Sequence, residues 1–283
     1  MYRTLSLRFS GAVASLALNR AASRNAMSTE LMQEMIACAG ELAARDDIDV
    51  VIVTGAGKCF SAGADLKDPQ RWSNDLVSLT QRRAVAELGL RMARAWEDLP
   101  QITIAAIEGY AIGGGLALAV ALDWRVAARN AFVSLPEISL GIPLTWGTIP
   151  RLVNLVGPAR AKRLTILCQR VAAPAALRMG LIDELCAPRK AHAAARALAA
   201  RVLAMPRHAV RMSKEACNAY ANRGAQATSF MAHDQLLLAA ASAESRAARD
   251  AFLKRRPVAT RARSRAQPGR RDSVRRRPGR APR

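Results

Sequence analysis

The chain has 283 residues, of which 51% are hydrophobic, so it can bury a sizeable core in one large domain or one domain with an appendage. No apolar run approaches the ~20 residues that span a bilayer, which predicts a protein without a membrane segment. The net charge of +21 is unevenly placed, because residues 259–283 hold ten arginines and one acid and so contribute +9 of it.

Strands and helices alternate through the first half of the chain, which predicts an α/β sheet with crossover connections. Alternating apolar residues over 3–9 and 12–18 predict a hairpin that turns at Ser10-Gly11. Ser28 is the predicted N-cap of the first helix, because apolar residues recur after it at helical spacing. The next predicted elements are a strand over 50–53, a long helix ending near Leu99, a strand over 102–107, a helix over 114–122, and strands over 124–127 and 131–134.

The second half of the chain becomes helical. A turn-rich loop is predicted over 140–150, then helices over 157–168 and from Pro174 to Gly180. From residue 191 the spacing is helical only, over 193–204, 208–221 and 224–254. We therefore predict an α/β core over 1–190, a helical C-terminal module over 191–258 and an Arg-rich disordered tail over 259–283.

The composition also bears on ligands and partners. The five cysteines are scattered and odd in number, which favours a reducing compartment, and hence the cytoplasm, over a disulfide scaffold. The three histidines lack metal-ligand spacing, so we expect no metal. We favour a solvated tail over a nucleic-acid-binding arm, because no aromatic residue is interleaved for base stacking.

Two loops of small residues stand out, one over 60–65 after the strand at 50–53 and one over 109–115 after the strand at 102–107. Small residues let a ligand approach the backbone, and the second loop opens a helix whose first N–H groups are unpaired. Two such N–H groups from separate segments can hold an oxyanion. The alternative is that these glycines only permit tight strand-to-helix turns.

Several segments, in this order, resemble the enoyl-CoA hydratase/isomerase, or crotonase, family over residues 3 to 258. They are Leu18-Asn19-Arg20 with Asn25-Ala26-Met27, and the stretches 57–67, 107–115, 135–141 and 251–257. The resemblance implies an α/β crotonase-like spiral of ββα units with a C-terminal all-helical oligomerisation module. It further implies acyl-CoA thioester substrates, no cofactor, and homotrimers or dimers of trimers.

The resemblance also assigns candidate catalytic residues. It implies that the N–H groups of Ala64 and Gly114 form the oxyanion hole and that Glu137 is the acid/base. Hydratases of the family carry a second glutamate, which here is Ala117, and a position that is acidic in the dienoyl-CoA isomerase branch is Thr145. One carboxylate is therefore present where the water-adding branch has two.

A single carboxylate favours a Δ3,Δ2-enoyl-CoA isomerase, because one base can take the C2 proton and return it to C4. Hydration of a 2-enoyl-CoA is the main alternative, since one carboxylate could in principle carry both protons. Other acyl-CoA reactions of the family also stay open. Two further alternatives are a catalytically inactive CoA-ester-binding homologue and an RNA-binding homologue.

The remaining candidates are residues for binding substrate and CoA. Arg24 and Lys67 could meet a phosphate, and Arg255 could reach a neighbouring subunit's CoA, although each could equally be a solvated surface charge. Trp146 adds bulk after Glu137 and is expected to reshape the acyl pocket for a medium-length, branched or aromatic group, unless it only packs under its loop. The other binding candidates are the loop residues Ala62, Asp65 and Leu66, of which Asp65 is also a candidate for capping its turn.

Overall fold

A computed structural model describes residues 2–72, 78–225 and 229–254. It confirms the mixed α/β class, with a six-stranded sheet, a three-stranded sheet and helices packed on them. The strands are β1 (Leu5–Ser10), β2 (Val13–Leu18), β3 (Val50–Gly55), β4 (Ile102–Ile107), β5 (Tyr110–Ile112), β6 (Trp124–Ala128), β7 (Phe132–Ser134), β8 (Val171–Ala172) and β9 (Glu184–Cys186).

Helices connect many of the strands in the first part of the chain, and every described element after residue 190 is a helix. They are α1 (Thr29–Ala43), α2 (Pro69–Trp72), α3 (Leu79–Glu97), α4 (Gly114–Ala121), α5 (Thr148–Val156), α6 (Pro158–Ile166), α7 (Ala173–Arg178), α8 (Ala191–Leu203), α9 (Arg207–Ala221), α10 (Ala232–Ala240) and α11 (Ala243–Lys254). Short 3-10 helices add Ala21–Ser23 and Glu137–Leu140.

The larger sheet has the order β1-β2-β3-β4-β6-β9. The predicted hairpin is confirmed, since β1 and β2 pair antiparallel with Ser10 opposite Val13. All the other neighbours in this sheet run parallel, and Val50 of β3 pairs with Ile102 of β4. Because parallel strands end at the same edge, the two loops of small residues leave the sheet side by side.

The sheet is buried on both faces, which explains why β3 and β4 are continuous apolar runs. Val51 and Val53 point into the larger core with residues of α1, α3 and α4. Val50 and Ile52 point into a smaller core, which α8 covers with Ala195, Ala199 and other apolar residues.

Short elements differ from the sequence expectations. The stretch 109–115, expected to be a turn, contains β5, which pairs with β7 in the smaller sheet β5-β7-β8. Such three-residue strands are too short for a periodic signal. The loop predicted over 140–150 is wrong at its end, where α5 begins at Thr148 and contains Pro150. Proline fits there because the N–H groups of a first helical turn have no intrahelical partner.

The C-terminal helices largely match the sequence pattern. α8 and α9 confirm the helices predicted over 193–204 and 208–221, whereas the stretch 224–254 is divided into α10 and α11 by Ala241 and Ser242. In the described ranges, no helix has the length and apolar content needed to cross a bilayer. The division into a core and a helical module stays a prediction, and the Arg-rich tail lies outside the described residues.

Candidate active site

A small cavity lies where the two loops of small residues meet the segment that follows β7. Its volume is about 30 Å³, which is room for one or two water molecules. The structure thus brings together Ala64, Gly114 and Glu137, the three residues that sequence analysis placed at the reacting atoms. The lining residues are Ala64, Gly114, Ala117, Glu137, Ile142, Pro143, Leu144, Thr145, Trp146 and Leu236.

Glu137 begins the 3-10 helix that follows β7, and its carboxyl end is buried although the residue as a whole is half-exposed. Among the described residues, none forms a hydrogen bond with its Oε2. Burial raises the pKa of Glu137 to about 7, because the charged carboxylate loses its hydration. A carboxyl group with this pKa can both accept and return a proton near neutral pH.

Gly113 and Gly114 form the junction between β5 and α4. Gly113 has a φ of +51°, and a Cβ at this position would come within 2.7 Å of Glu137 Oε1. Only glycine combines this backbone conformation with so close an approach. Gly114 is the first residue of α4, so its N–H lies among those without an intrahelical acceptor.

The loop after β3 presents Ala64 through a set of hydrogen bonds on both sides of it. The Ser61 hydroxyl accepts from Gly63 N at 3.1 Å. Met27 N donates to Gly63 O at 2.8 Å, and Asp65 N donates to Met27 O at 3.1 Å. This pairing leaves out the N–H of Ala64, which donates to no other residue in the described part of the chain.

Gly63 brings this loop against the start of α4. A Cβ on Gly63 would lie 2.6 Å from Ile112 O and 3.2 Å from Gly114 N. Ala64 and Gly114 line the same small cavity, and Gly114 lies at the N-terminal, positive end of the α4 dipole. This arrangement can stabilise a negative oxygen close to the Glu137 carboxyl group.

The cavity contains one acid/base group among its described lining residues, which is Glu137. Ala117 of α4 also lines the cavity, is fully buried and contributes only a methyl group. Thr145 lines the cavity but cannot act as a carboxylate. The site therefore has the components for moving a proton next to a stabilised oxyanion.

Five of the predicted CoA-binding residues are described, and they lie in the loop after β3 or bond to it: Arg24, Ala62, Asp65, Leu66 and Lys67. Arg24 is exposed and has a φ of +54°, and its carbonyl accepts from Ala62 N at 3.0 Å. The Asp65 carboxylate pairs with Arg20 at 2.9 Å and accepts from Lys67 N at 3.0 Å. Asp65 thus caps its turn, and Lys67 extends into solvent beyond it.

Leu66 is half-buried in the same turn, and Arg255 lies outside the described residues. Binding of CoA by these six residues stays a prediction. The predicted absence of a cofactor and of a metal also stays a prediction, although the described residues contain no group of three or more His, Cys, Asp or Glu arranged to hold an ion.

Sequence analysis missed several residues that shape the cavity. Gly89 of α3 lies against the Trp146 indole, and Leu236 of α10 lines the cavity from the C-terminal helices. Arg151 of α5 donates to the carbonyl of Trp146. These residues are far apart in the chain and carry no local motif, so only the folded chain relates them.

A larger cavity of about 600 Å³ lies between α9 and the end of the sheet. Charged side chains in its wall are paired, Lys214 with Asp123 and Arg151 with Glu97, each at 2.7 Å. Glu137 Oε2 has no such partner among the described residues. The smaller cavity, despite its size, is therefore the one equipped for acid/base chemistry.

Comparison with known proteins agrees with this geometry. The family model described as enoyl-CoA hydratase/isomerase matches residues 8–261. The chain is 39% identical over 199 residues to the "probable enoyl-CoA hydratase echA17" of Mycobacterium avium (strain 104), which covers 69% of this chain and 74% of that protein. It is 35% identical over 209 residues to the "short-chain-enoyl-CoA hydratase" of Clostridium acetobutylicum, covering 74% and 78%.

Solved structures share the fold. The crystal structure of an enoyl-CoA hydratase from Bacillus anthracis superposes with a TM-score of 0.71 at 33% sequence identity, covering 76% of this chain and 82% of that one. The fold is therefore the crotonase-like fold that the sequence resemblance implied.

Proposed function

Since the chain belongs to the enoyl-CoA hydratase/isomerase family and is an acyl-CoA enzyme, we propose that it moves the double bond of a 3-enoyl-CoA thioester to the 2-position. The observation that carries the proposal is the single carboxyl group in the cavity. Glu137 is the one acid/base group among the described lining residues. By the family resemblance, Ala117 is the residue at the position of the second glutamate of hydratases. A double-bond shift needs one base, whereas hydration must also activate a water molecule.

The proposed reaction begins with the thioester oxygen accepting hydrogen bonds from the N–H groups of Ala64 and Gly114. The Glu137 carboxylate removes a proton from C2, and the electron pair of that C–H bond forms a dienolate. The negative charge rests on the thioester oxygen, where each N–H donor contributes ~3 kcal/mol in comparable sites. The protonated Glu137, whose acidic proton exchanges with solvent before it is delivered, then protonates C4, which leaves the double bond between C2 and C3 and restores the carboxylate.

Hydration of 2-enoyl-CoA is the second candidate, and the names of the relatives favour it. Those from Mycobacterium avium and Clostridium acetobutylicum are called hydratases. In this alternative Glu137 alone would deprotonate the attacking water and protonate C2. The cavity would then need to admit a water molecule beside the substrate, and its volume without substrate is only about 30 Å³.

The proposal extends to ligand binding and assembly. Arg24 and Lys67 have exposed side chains and are proposed to bind phosphate groups of CoA as point charges.

The proposed assembly, a homotrimer or a dimer of trimers, follows from the family resemblance alone. Light scattering coupled to gel filtration measures the molar mass of the assembly, and a monomer at assay concentration would contradict the proposed trimer or dimer of trimers.

Isotope incorporation in heavy water distinguishes the two reactions. The enzyme is incubated separately with a 3-enoyl-CoA and a 2-enoyl-CoA, and the products are weighed by mass spectrometry. We expect the 3-enoyl substrate to become the 2-enoyl product, with deuterium incorporated and no oxygen added. A 3-hydroxyacyl product formed faster than the isomerised one would support the hydratase instead.

Glu137→Gln tests the role of Glu137 as the base. The glutamine amide has nearly the same size as the carboxyl group but cannot accept the C2 proton. Turnover should fall by about 10³-fold or more, with affinity for a CoA ester nearly unchanged. Retained turnover in this variant would overturn the assignment of the base. Normal binding with no turnover of any enoyl-CoA in the wild type would favour the inactive CoA-ester-binding alternative.

A further inference from the structure

Resting on the proposed function, we infer that Trp146 closes the acyl end of the site and restricts this enzyme to short, unbranched acyl chains. The sequence left two roles open for Trp146, which were reshaping the acyl pocket for a medium-length, branched or aromatic group and packing under its own loop. In the structure, the indole faces Gly89 and Gly114 and forms part of the cavity wall. The geometry thus points to a shorter substrate than sequence analysis did.

Two glycines on separate helices form the slot that holds the indole. A Cβ on Gly89 of α3 would lie 2.0 Å from Trp146 Cε2, and one on Gly114 of α4 would lie 2.4 Å from Trp146 Cζ3. Real Cβ atoms do not come this close to other atoms, so any side chain at either position would displace the indole. The ring is therefore built into the fold and is not a loosely packed surface group; the residue is 5% exposed.

Arg151 holds the backbone that carries the indole. Trp146 and Gly147 have φ values of +61° and +66°, a pair of left-handed residues that needs support. Arg151 Nη1 donates to the carbonyls of both residues at 3.0 Å. Its Nε and Nη2 donate to the two carboxylate oxygens of Glu97 at 2.8 and 2.7 Å. This buried, two-pronged ion pair makes Arg151 a positioning residue for Trp146.

The consequence for the substrate follows from the position of the indole beside the Gly114 amide. A thioester oxygen bound by that amide places the acyl chain next to Glu137, and the chain then meets the indole. Leu144 and Leu236 line the cavity with it and leave about 30 Å³. Every acyl chain must therefore displace side chains of the cavity wall, and a long chain must displace the indole from its slot, which a short chain need not reach.

Binding of saturated acyl-CoA esters tests this without depending on turnover. Dissociation constants are measured by calorimetry for the four-, eight- and twelve-carbon esters, and kcat/KM is measured for the corresponding 3-enoyl thioesters. In the wild type we expect the four-carbon ester to be favoured over the twelve-carbon ester by about tenfold or more. In Trp146→Ala this preference should disappear or reverse. Equal affinity for all three lengths in the wild type, or an unchanged ratio in Trp146→Ala, would overturn the inference.

Gly89→Ala provides a second variant that leaves Trp146 in place. It should push the indole out of its slot and change the chain-length ratio, and it should have no further effect in a Trp146→Ala background, where the obstacle is gone. Gly40→Ala, on the exposed side of α1 with nothing within 4 Å of the new Cβ, is the control and should leave the ratio unchanged. If Gly89→Ala still changes the chain-length ratio in the Trp146→Ala background, Gly89 does not act by holding the indole, and the inference is contradicted.

Arg151→Met separates positioning from chemistry. Loss of the guanidinium should weaken the chain-length preference, because the left-handed turn is no longer held, while the pH profile set by Glu137 stays the same. A preference unchanged in this variant would show that Arg151 does not position the indole. If the wild type binds the esters with the expected preference but turns none over, the proposed reaction fails while the assignment of Trp146 stands.

Discussion

At the scale of single residues, the environment of Glu137 decides what its carboxyl group can do. Its carboxyl group is buried among apolar residues, and its Oε2 has no hydrogen-bond partner among the described residues. Desolvation raises its pKa to about 7, against an ordinary value of 4.5. The charged form is thus costly in the folded protein, which makes the carboxylate a stronger base than one in water.

The raised pKa predicts how activity depends on pH. Glu137 must be ionised to take the C2 proton, so kcat/KM should fall about tenfold for each pH unit below 7 and level off above it. The measurement is a pH profile of kcat/KM with the 3-enoyl substrate. Circular dichroism at each pH controls for acid unfolding. A profile that is flat down to pH 5, with the fold intact, would show that the base is another group or is not buried in solution.

Substituting Gly113 tests whether the close approach of its backbone to Glu137 matters for turnover, apart from the positive φ that glycine allows. Gly113 and Gly11 both have left-handed φ values, +51° and +57°, but a Cβ on Gly11 has nothing within 4 Å, whereas one on Gly113 would meet the Glu137 carboxyl oxygen. Alanine at either position should cost roughly 1–2 kcal/mol of stability in urea unfolding. Only Gly113→Ala should also lower turnover, by about 10²-fold, because it displaces the base.

Both variants place alanine at a positive φ, and only Gly113→Ala adds crowding against Glu137, so correcting turnover for the unfolded fraction separates stability from crowding. Equal activity of both, after correction for any unfolded fraction, would mean that Glu137 is not tightly held against Gly113.

At the scale of elements, helix boundaries followed local chemistry where a cap was visible. Ser28 accepts a hydrogen bond from Leu31 N and begins α1, as its sequence predicts. α3 begins with a capping box formed by Ser78 and Gln81. The sequence did not reveal this cap, because the polar, irregular stretch before it offers no contrast with a capping residue. α5 was missed because Pro150 indicates a turn when its position in the helix is unknown.

Helix glycines give the prediction at this scale, since α1 and α3 each carry one. Gly40 is exposed and open, so Gly40→Ala should raise the free energy of unfolding by roughly 0.5–1 kcal/mol through helix propensity. Gly89 is buried against the Trp146 ring, so Gly89→Ala should lower it by about 1–3 kcal/mol through overpacking. Denaturant unfolding of both variants measures the difference. A stabilised Gly89→Ala would mean that the indole is not in its slot.

At the scale of the whole molecule, positive charge is concentrated at the C-terminal end of the sequence. Residues 259–283 contribute +9 of the net +21 and lie outside the described residues. The described cavity residues come from segments between Ala64 and Leu236, so the components proposed for the chemistry lie outside this tail in the sequence.

Removal of residues 259–283 should therefore leave kcat/KM within about twofold of the full chain. RNA binding is measured for both proteins over a salt series. We expect any affinity of the full chain to be weak and to vanish near physiological salt, as it does for counterion release alone. Tail-dependent binding that persists at that salt, above a matched basic control protein, would favour the RNA-binding alternative.

The amino-acid sequence by itself determined the features that depend on neighbours along the chain. Apolar runs and their spacing predicted the parallel strands β3 and β4 and the helices α1, α8 and α9. Small residues directly after two strands predicted loops that a ligand can approach, and Glu137 and Ala117 indicated one carboxyl group instead of two. The predictions of strands and helices are confirmed because hydrophobic periodicity and capping are local properties, whereas the roles of the two loops, Glu137 and Ala117 stay predictions.

Only the tertiary structure decided the size and electrostatics of the cavity. The Trp146 indole lies between glycines of two helices, and Arg151 holds its backbone by pairing with Glu97, 54 residues earlier in the chain. The raised pKa of Glu137 likewise results from burial by segments far away in the chain. Burial and steric fit are sums over distant residues that carry no mark in the local sequence, and so the acyl-length limit emerges only in the folded chain.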